Sequence, residues 1–230
     1  RSWSSSNNRF NRNRAFDTVY LLDTTDEGST QQFTVSLNKP WSAESDWSWF
    51  LGYTYTDAEE VSGLTSSTAS SGWNYNYLFD ANEEVAATSR YEIRDRISGQ
   101  LNWKHAFFGD YETRVGLVYE GRSGRPYSYI FSGDANGDNR TFNDLFYVPA
   151  GPGDVLFGSL TSAGVFTPNP TMEAAFWSWL ETQEGLSRYK GTYAPENGFT
   201  SGWVNTFDIR ISQELPGFMK GHKSKIWLDI

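Results

Sequence analysis

Cysteine is absent from all 230 residues, which excludes a disulfide framework and thiolate metal sites without fixing the compartment. Histidine is nearly absent. His105 and His222 are the only two, both in or beside expected short turns, so a histidine-centred metal site or catalytic triad is not expected. No run of 18 apolar residues and no signal-peptide h-region is visible, so the chain offers no transmembrane helix. Phosphate loops and dinucleotide fingerprints are missing as well. Ser-x-x-Lys occurs twice, as "SRYK" from Ser187 and as "SLNK" from Ser36, and neither has the companion motifs that would make it a nucleophile. Paired carboxylates on a wet surface could in principle hydrolyse glycosides. With nothing else to support catalysis, no enzyme is expected.

Positive charge is also in short supply. Lys and Arg number 19 against 28 Asp and Glu, a net charge of -9, and phosphate binding depends on Lys and Arg. No nucleic-acid partner is expected. The one basic stretch, Arg1, Arg9, Arg12 and Arg14 among Ser and Asn, reads as an ordinary solvated segment.

What the chain does have is aromatic side chains, 17% of the residues at a mean hydropathy of -0.58. Many large rings in a polar chain require an arrangement that places the rings against an apolar phase and keeps the rest wet. Residues 91 to 105, "YEIRDRISGQLNWKH", show how. Successive strand side chains point to opposite faces. Odd positions carry Tyr91, Ile93, Asp95, Ile97, Gly99, Leu101 and Trp103; even positions carry Glu92, Arg94, Arg96, Ser98, Gln100, Asn102 and Lys104. One face is apolar apart from Asp95 and the other is polar.

The same alternation marks 32–37, 46–56, 111–120 and 203–215, and more weakly 16–22 and 224–230, so seven strands are expected. A soluble sandwich alternates too. Three features favour a membrane wall. Several strands reach about the 9 to 11 residues needed to cross a bilayer obliquely. Aromatics cluster at the strand ends, with Trp47, Trp103, Tyr111 and Phe218 near one set of turns and Tyr55, Tyr91, Tyr119 and Trp203 near the other, as in interfacial girdles. Connections alternate short and long, the long ones being 57–90 and 121–202, as in outer-membrane barrels. Arg94, Arg96, Arg114, Asp208 and Arg210 then face a hydrated lumen, since a dry core would bury their charges at high cost.

The long connections have content of their own. In 57–90 an aromatic run supplies Trp73, Tyr75 and Tyr77, readable as a ligand platform or as packing among loops. In 121–202 the stretch "NPTMEAAFWSWLETQEG" puts Met172, Phe176, Trp179 and Leu180 at helical spacing with Gly185 as a stop, which predicts a short amphipathic helix. Between them lies "FSGDANGDNRTFNDLFYVP". Asp134, Asn136 and Asp138 at alternate positions follow the first half of a calcium loop, in which hard oxygen donors converge on one ion, and Arg140 and Asp144 complete the candidate set. Asp144 falls one place before the twelfth position, Leu145, so a solvated Asx-turn loop remains the other reading. No cofactor is required; calcium is the one that fits.

Three stretches carry a resemblance: "TRVGLVYEGRSGRPYSYIFSGDANGDNRTFNDLFYVP" (113–149), "RYKGTYAPENGF" (188–199) and "WVNTFDIRISQELPG" (203–217). Together they resemble the C-terminal barrel region of TonB-dependent receptors of the Oar-like, carboxypeptidase-regulatory-domain type, over roughly 16–230. The resemblance implies an outer-membrane barrel of about 22 strands, occluded by a plug and driven by an inner-membrane TonB complex. The present residues then form all-β wall, about seven strands of it, with two long outside loops. They open on "RSWSSS" without Met and stop on "KIWLDI" as though inside a strand, so a piece of a longer protein is expected. The resemblance further implies a Gram-negative outer membrane, lipid contact, and energy-coupled passage of a large or unidentified cargo such as peptide or protein. It also leads one to expect a basic residue beside "PENG", where Pro195, Glu196 and Asn197 supply none. Two alternatives stand beside it: a non-transporting surface barrel whose loops bind calcium, glycan or a partner protein, and a soluble carbohydrate-binding sandwich.

Overall fold

A computed structural model describes residues 20, 22–79, 83–138 and 140–230. The expected strand over 16–22 and the arginines of the first fourteen residues lie outside these residues, apart from Tyr20 and Leu22, which are not in a strand. In chain order the elements are β1 (Ser29–Lys39), β2 (Trp47–Glu60), α1 (Ala69–Asn74), β3 (Ala87–Thr88), β4 (Asp95–Phe108), β5 (Tyr111–Arg122), β6 (Pro126–Tyr127), β7 (Tyr147–Val148), β8 (Gly158–Leu160), β9 (Phe166–Pro168), α2 (Pro170–Glu181), α3 (Glu184–Ser187), β10 (Thr192–Tyr193), β11 (Phe199–Thr200), β12 (Val204–Pro216) and β13 (Lys223–Asp229). The described residues fall into two compact units, one built from 29–58, 91–125 and 200–230, the other from 59–90 and 126–199 together with 20 and 22–28.

The first unit is one antiparallel sheet in the order β1-β2-β4-β5-β12-β13, open at both edges. The register decides which side chains share a face. Trp47 lies opposite Trp103, Trp103 opposite Val115, Val115 opposite Ile211 and Ile211 opposite Leu228. The next apolar row runs Trp49, Leu101, Leu117, Ile209, and the one after it Leu51, Gly99, Tyr119, Phe207. Between them run polar rows: Ser48, Asn102, Gly116, Arg210 and Asp229 in one, Thr54, Arg96 and Arg122 in another. At β1, Thr34 Oγ1 bonds Thr54 Oγ1 at 3.1 Å and Gln32 Nε2 donates to Thr56 Oγ1 at 3.3 Å, so the even residues of that strand join the polar face. A slip of one residue in any strand would have interleaved the faces. One shift occurs, between His105 and Phe108 at the turn end of β4, and from His105 to Arg96 the β4–β5 register is unbroken.

The apolar face is exposed. Phe33, Leu37 and Phe207 each leave about three-fifths of their surface open, at 62%, 62% and 61%. Its polar exceptions sit at its two ends. Asp95 accepts the Tyr53 hydroxyl at 2.6 Å, and His105 stacks on Trp103 while its Nδ1 lies 3.3 Å from Asp46 Oδ2. The polar face is less pure than its sequence suggests, because Phe50, Val118 and Trp227 share its parity.

The turns follow from local chemistry. Between Phe108 and its partner Tyr111 only Gly109 and Asp110 remain, with Gly109 at φ 63°. At the β12–β13 turn Gly217 N–H donates to the His222 carbonyl at 2.8 Å, and a side chain on Gly217 would meet the His222 backbone at 2.7 Å.

The second unit owns the buried core: Val148, Leu180, Leu186 and Ala194, against which Tyr129, Phe146, Phe176, Trp177, Tyr189 and Phe199 pack. Three two-stranded ladders frame it, β7 with β10, β6 with β11 and β8 with β9. The expected helix is α2. Asn169 caps it, its side-chain oxygen accepting from Met172 N–H at 3.0 Å, with Pro170 in the first turn, where its missing N–H costs nothing. Leu180 faces the core and Met172 stands half exposed, so the helix docks by its later turns.

Four expectations need correction. Tyr91 to Arg94 precede β4, although the Arg94 carbonyl still accepts the Thr56 N–H of β2 at 2.8 Å. β2 runs on to Glu60 and β5 to Arg122, which moves the first long connection to 61–94 and the second to 123–203. Gly185 is inside α3 and does not end the helical run, because Thr182 and Gln183 break it first. The connection after β2 also carries a helix, α1, in a Ser-rich stretch that has no apolar period.

Replacing Leu180 by Ala should therefore destabilise the second unit by about 3 kcal/mol, a buried-leucine cavity cost. The matched Met172→Ala change on the exposed side of α2 should cost under about 0.5 kcal/mol. Hydrogen exchange of the amides in 146–148 and 192–194 measures both.

Candidate functional site

Three constellations could carry function, and each is assembled by the geometry just described. The first is the polar face of the sheet. Neighbours across strands or two residues apart on one strand pair its charges: Arg210 grips Asp229 of the next strand with two bonds of 2.5 and 2.8 Å, and Arg114 bonds Glu112 of its own strand at 2.6 and 2.9 Å. Lys223 reaches Glu214 at 2.8 Å, and Arg122 lies 3.3 Å from Glu120. Arg96 sits opposite Arg122 and Thr54, and Asp208 opposite Val118. Arg94, off the strand, bonds Glu92 at 3.0 Å and approaches Asp57 at 3.7 Å. Four of the five expected lumen residues thus share one face. A shallow trough of about 960 Å³ lies there, lined among others by Trp41, Asn102, Arg114, Asp208, Arg210 and Trp227.

The second constellation joins the aromatic run of the first long connection to basic residues far away in sequence. Arg140 sits over the Trp73 ring at 5.8 Å and donates to the Tyr20 hydroxyl at 3.1 Å. Arg90 sits over the Tyr77 ring at 5.2 Å and donates to the Tyr75 carbonyl at 2.6 Å. Cation–π contacts of this kind fix the rings in place. Trp73 and Tyr77 are therefore engaged within the unit, and Tyr75 is the ring of the three that stands most exposed.

Beside it lies the turn 134–144. Asp134 Oδ1 accepts Gly137 N–H at 2.7 Å, Asn136 Oδ1 accepts Asp138 N–H at 2.9 Å, and Asp138 Oδ1 accepts Arg140 N–H at 2.7 Å. These are successive Asx turns. Asp144 reaches back into them, its Oδ2 accepting Ala135 and Asn136 N–H at 2.5 and 3.3 Å. Burial pushes its carboxyl above the usual carboxylate range, the two N–H bonds oppose this, and the charges of Asp138 and Asp134 add to the rise. No group of three His, Asp or Glu side chains able to hold a metal occurs among the described residues. Arg140 offers no side-chain donor to an ion, since its guanidinium is turned to Tyr20 and Trp73.

The third constellation is the "PENG" corner. Glu196 and Asn197 are both buried, and Asn197 holds φ 50°. Asn197 donates from Nδ2 to the Thr88 carbonyl at 2.8 Å and from its N–H to Ser128 Oγ at 2.7 Å. Burial raises Glu196 to about 7, against the opposing Tyr77 N–H and the charge of Arg90, while Glu60 raises it further. Arg90, distant in sequence, is thus the basic residue whose charge acts on this corner. Glu60 in turn accepts the Ser89 hydroxyl at 2.8 Å.

What the fold establishes is an all-β protein built on one large, open antiparallel sheet. Compared with known proteins, the chain matches no family model, no curated protein and no solved structure.

The Glu196 corner generates a pH dependence. Its folded value of about 7 stands above its ordinary 4.5, so folding takes up a proton. The stability it contributes is complete below pH 4.5 and is lost as pH rises to 7, by up to about 3 kcal/mol. Denaturant unfolding of the second unit at pH 5 and pH 8 should show that loss, and Glu196→Gln should flatten it. An equal slope in the Gln variant would assign the effect to another group.

Proposed function

We propose that this chain is a segment of an outer-membrane β-barrel wall, from a TonB-dependent receptor of the Oar-like type that moves a large cargo with energy from the inner membrane. The observation that carries the reading is the six-strand apolar face. Phe33, Leu51, Ile209, Phe207 and Leu228 lie on one side of the sheet and are open to the surroundings. In water such a face needs a second layer. Lipid satisfies it without one, and the opposite face with its paired charges suits a hydrated lumen.

The strand lengths agree with this. β2, β4, β5 and β12 run 14, 14, 12 and 13 residues, enough to cross a bilayer at the usual tilt. The open edges at β1 and β13 are where further wall strands would pair, because an unpaired edge cannot persist in lipid. On this reading Arg96, Arg114, Asp208 and Arg210 face water and the plug, and the second unit makes first contact with cargo. A non-transporting surface barrel is the second reading, favoured by a second unit with its own aromatic core, as a binding domain would have.

Charge placed on alternate faces tests this directly. Leu117→Arg sits on the middle apolar row, where an arginine at the lipid midplane costs about 2 to 4 kcal/mol. Gln100→Arg sits on the polar face. The first should abolish recovery of folded, heat-modifiable protein from the outer-membrane fraction, and the second should leave it unchanged. Equal behaviour of the two variants would overturn the assignment of faces.

A further inference from the structure

The turn 134–144 contains two buried oxygens whose bonding is incomplete. Asn143 and Asp144 are each only 2% exposed, and the Oδ1 atom of each has no hydrogen-bond partner. Leaving a buried acceptor unsatisfied costs about 1 to 3 kcal/mol, more if it is charged. Both side chains reach into the turn. The other Asp144 oxygen is held by the Ala135 and Asn136 N–H groups, and Asn143 Nδ2 donates to Asp138 Oδ2 at 3.1 Å. Asp144 and Asn143 thus reach the backbone of 135–136 and the Asp138 carboxylate, in a place that offers anionic and neutral oxygen donors and no sulfur or imidazole.

Oxygen-only donors select hard divalent cations, and a flexible turn with mixed carboxylate and amide oxygens suits calcium, which tolerates six to eight ligands, better than magnesium. We propose that 134–144 is a calcium-binding turn in which Asp144 Oδ1 and Asn143 Oδ1 are the preformed donors, Asp138 is the third, and Asp134 is drawn in on binding. That final movement accounts for the turn not already gathering three carboxylates into one group. The sequence pattern points to the alternate donors but not to Asn143, which replaces Arg140 in the set.

The ion would act as a staple. Asp144 forms a parallel bridge with Leu78, and its carbonyl accepts Phe131 N–H at 2.9 Å. Asn136 Nδ2 donates to the Phe79 carbonyl at 3.2 Å. A cation on Asp144 thus ties the end of the aromatic run to the 130–145 segment. The proposal stands on the second unit alone and does not depend on the membrane reading of the sheet.

Terbium, a luminescent calcium surrogate, tests it on the full folded chain, since Trp73 lies close enough to Arg140 to sensitise it. Saturable emission should appear and be displaced by calcium with a dissociation constant of about 0.1 to 1 mM or tighter. Asp144→Asn and Asn143→Ala should each weaken calcium by roughly tenfold or more. Glu181→Gln, an equal charge change on exposed α2, should not. Because Asp144 also holds backbone, the wild-type chain supplies an independent readout: calcium should slow proteolysis within 132–144, and chelator should restore it. Absence of calcium-displaceable emission up to about 10 mM, protease cleavage indifferent to chelator, or equal calcium binding by Asn143→Ala would each overturn the site.

Discussion

Sheet register is the constraint on which the rest depends. Side chains alternate along a strand, so six strands produce a clean apolar face only if every pairing keeps parity. The pairs Trp47 with Trp103, Leu101 with Leu117, and Ile209 with Leu117 all keep it. At one turn an irregularity is needed for this: Phe108 lies opposite Tyr111, a pairing of even with odd, and the one-residue shift between His105 and Phe108 restores parity, so that His105 lies opposite Thr113 and the rest of β4 keeps that register. Once parity is fixed, the chain has one greasy and one charged surface and must find an environment for both.

The charged surface solves its half locally. Arg114, Arg122, Arg210 and Lys223 each meet a carboxylate two residues away or on the next strand, so these opposite charges meet without reaching another layer. Exposed pairs of this kind contribute little stability. Their effect is to keep the face near neutral and wettable. The apolar surface has no such local solution, and on the proposed reading a bilayer resolves that asymmetry. The second unit differs in kind: aromatic rings meet edge to face around Leu180 and Leu186, and the chain is held by short ladders and side-chain bonds to backbone.

Much of the sheet was legible because its strands are long. Period-two alternation over ten or more residues identifies a strand and its faces, and the strong segments 32–37, 46–56, 111–120 and 203–215 all fall within β1, β2, β5 and β12 or one residue outside them. The α2 helix was legible from its apolar spacing and its Asn-Pro start. By contrast, β3, β6, β7, β10 and β11 have two residues each, too few to show any period, and α1 lacks an apolar stripe. Site residues divide the same way. Asp134, Asn136 and Asp138 announce themselves by spacing. Asn143 lies only five residues from the Asp138 carboxylate it meets but outside the alternate spacing, and the approach of Arg90 to Glu196 joins segments distant in sequence, which no local pattern encodes.

The most direct measurement of the central claim is nitroxide scanning of β4 in the membrane-reconstituted protein. Labels at 97, 99 and 101 should be accessible to oxygen and shielded from a water-soluble nickel reagent. Labels at 98, 100 and 102 should show the reverse, giving two alternating profiles of opposite phase. If the odd positions are instead shielded from both reagents, the apolar face lies against protein, and a lipid-facing wall is contradicted.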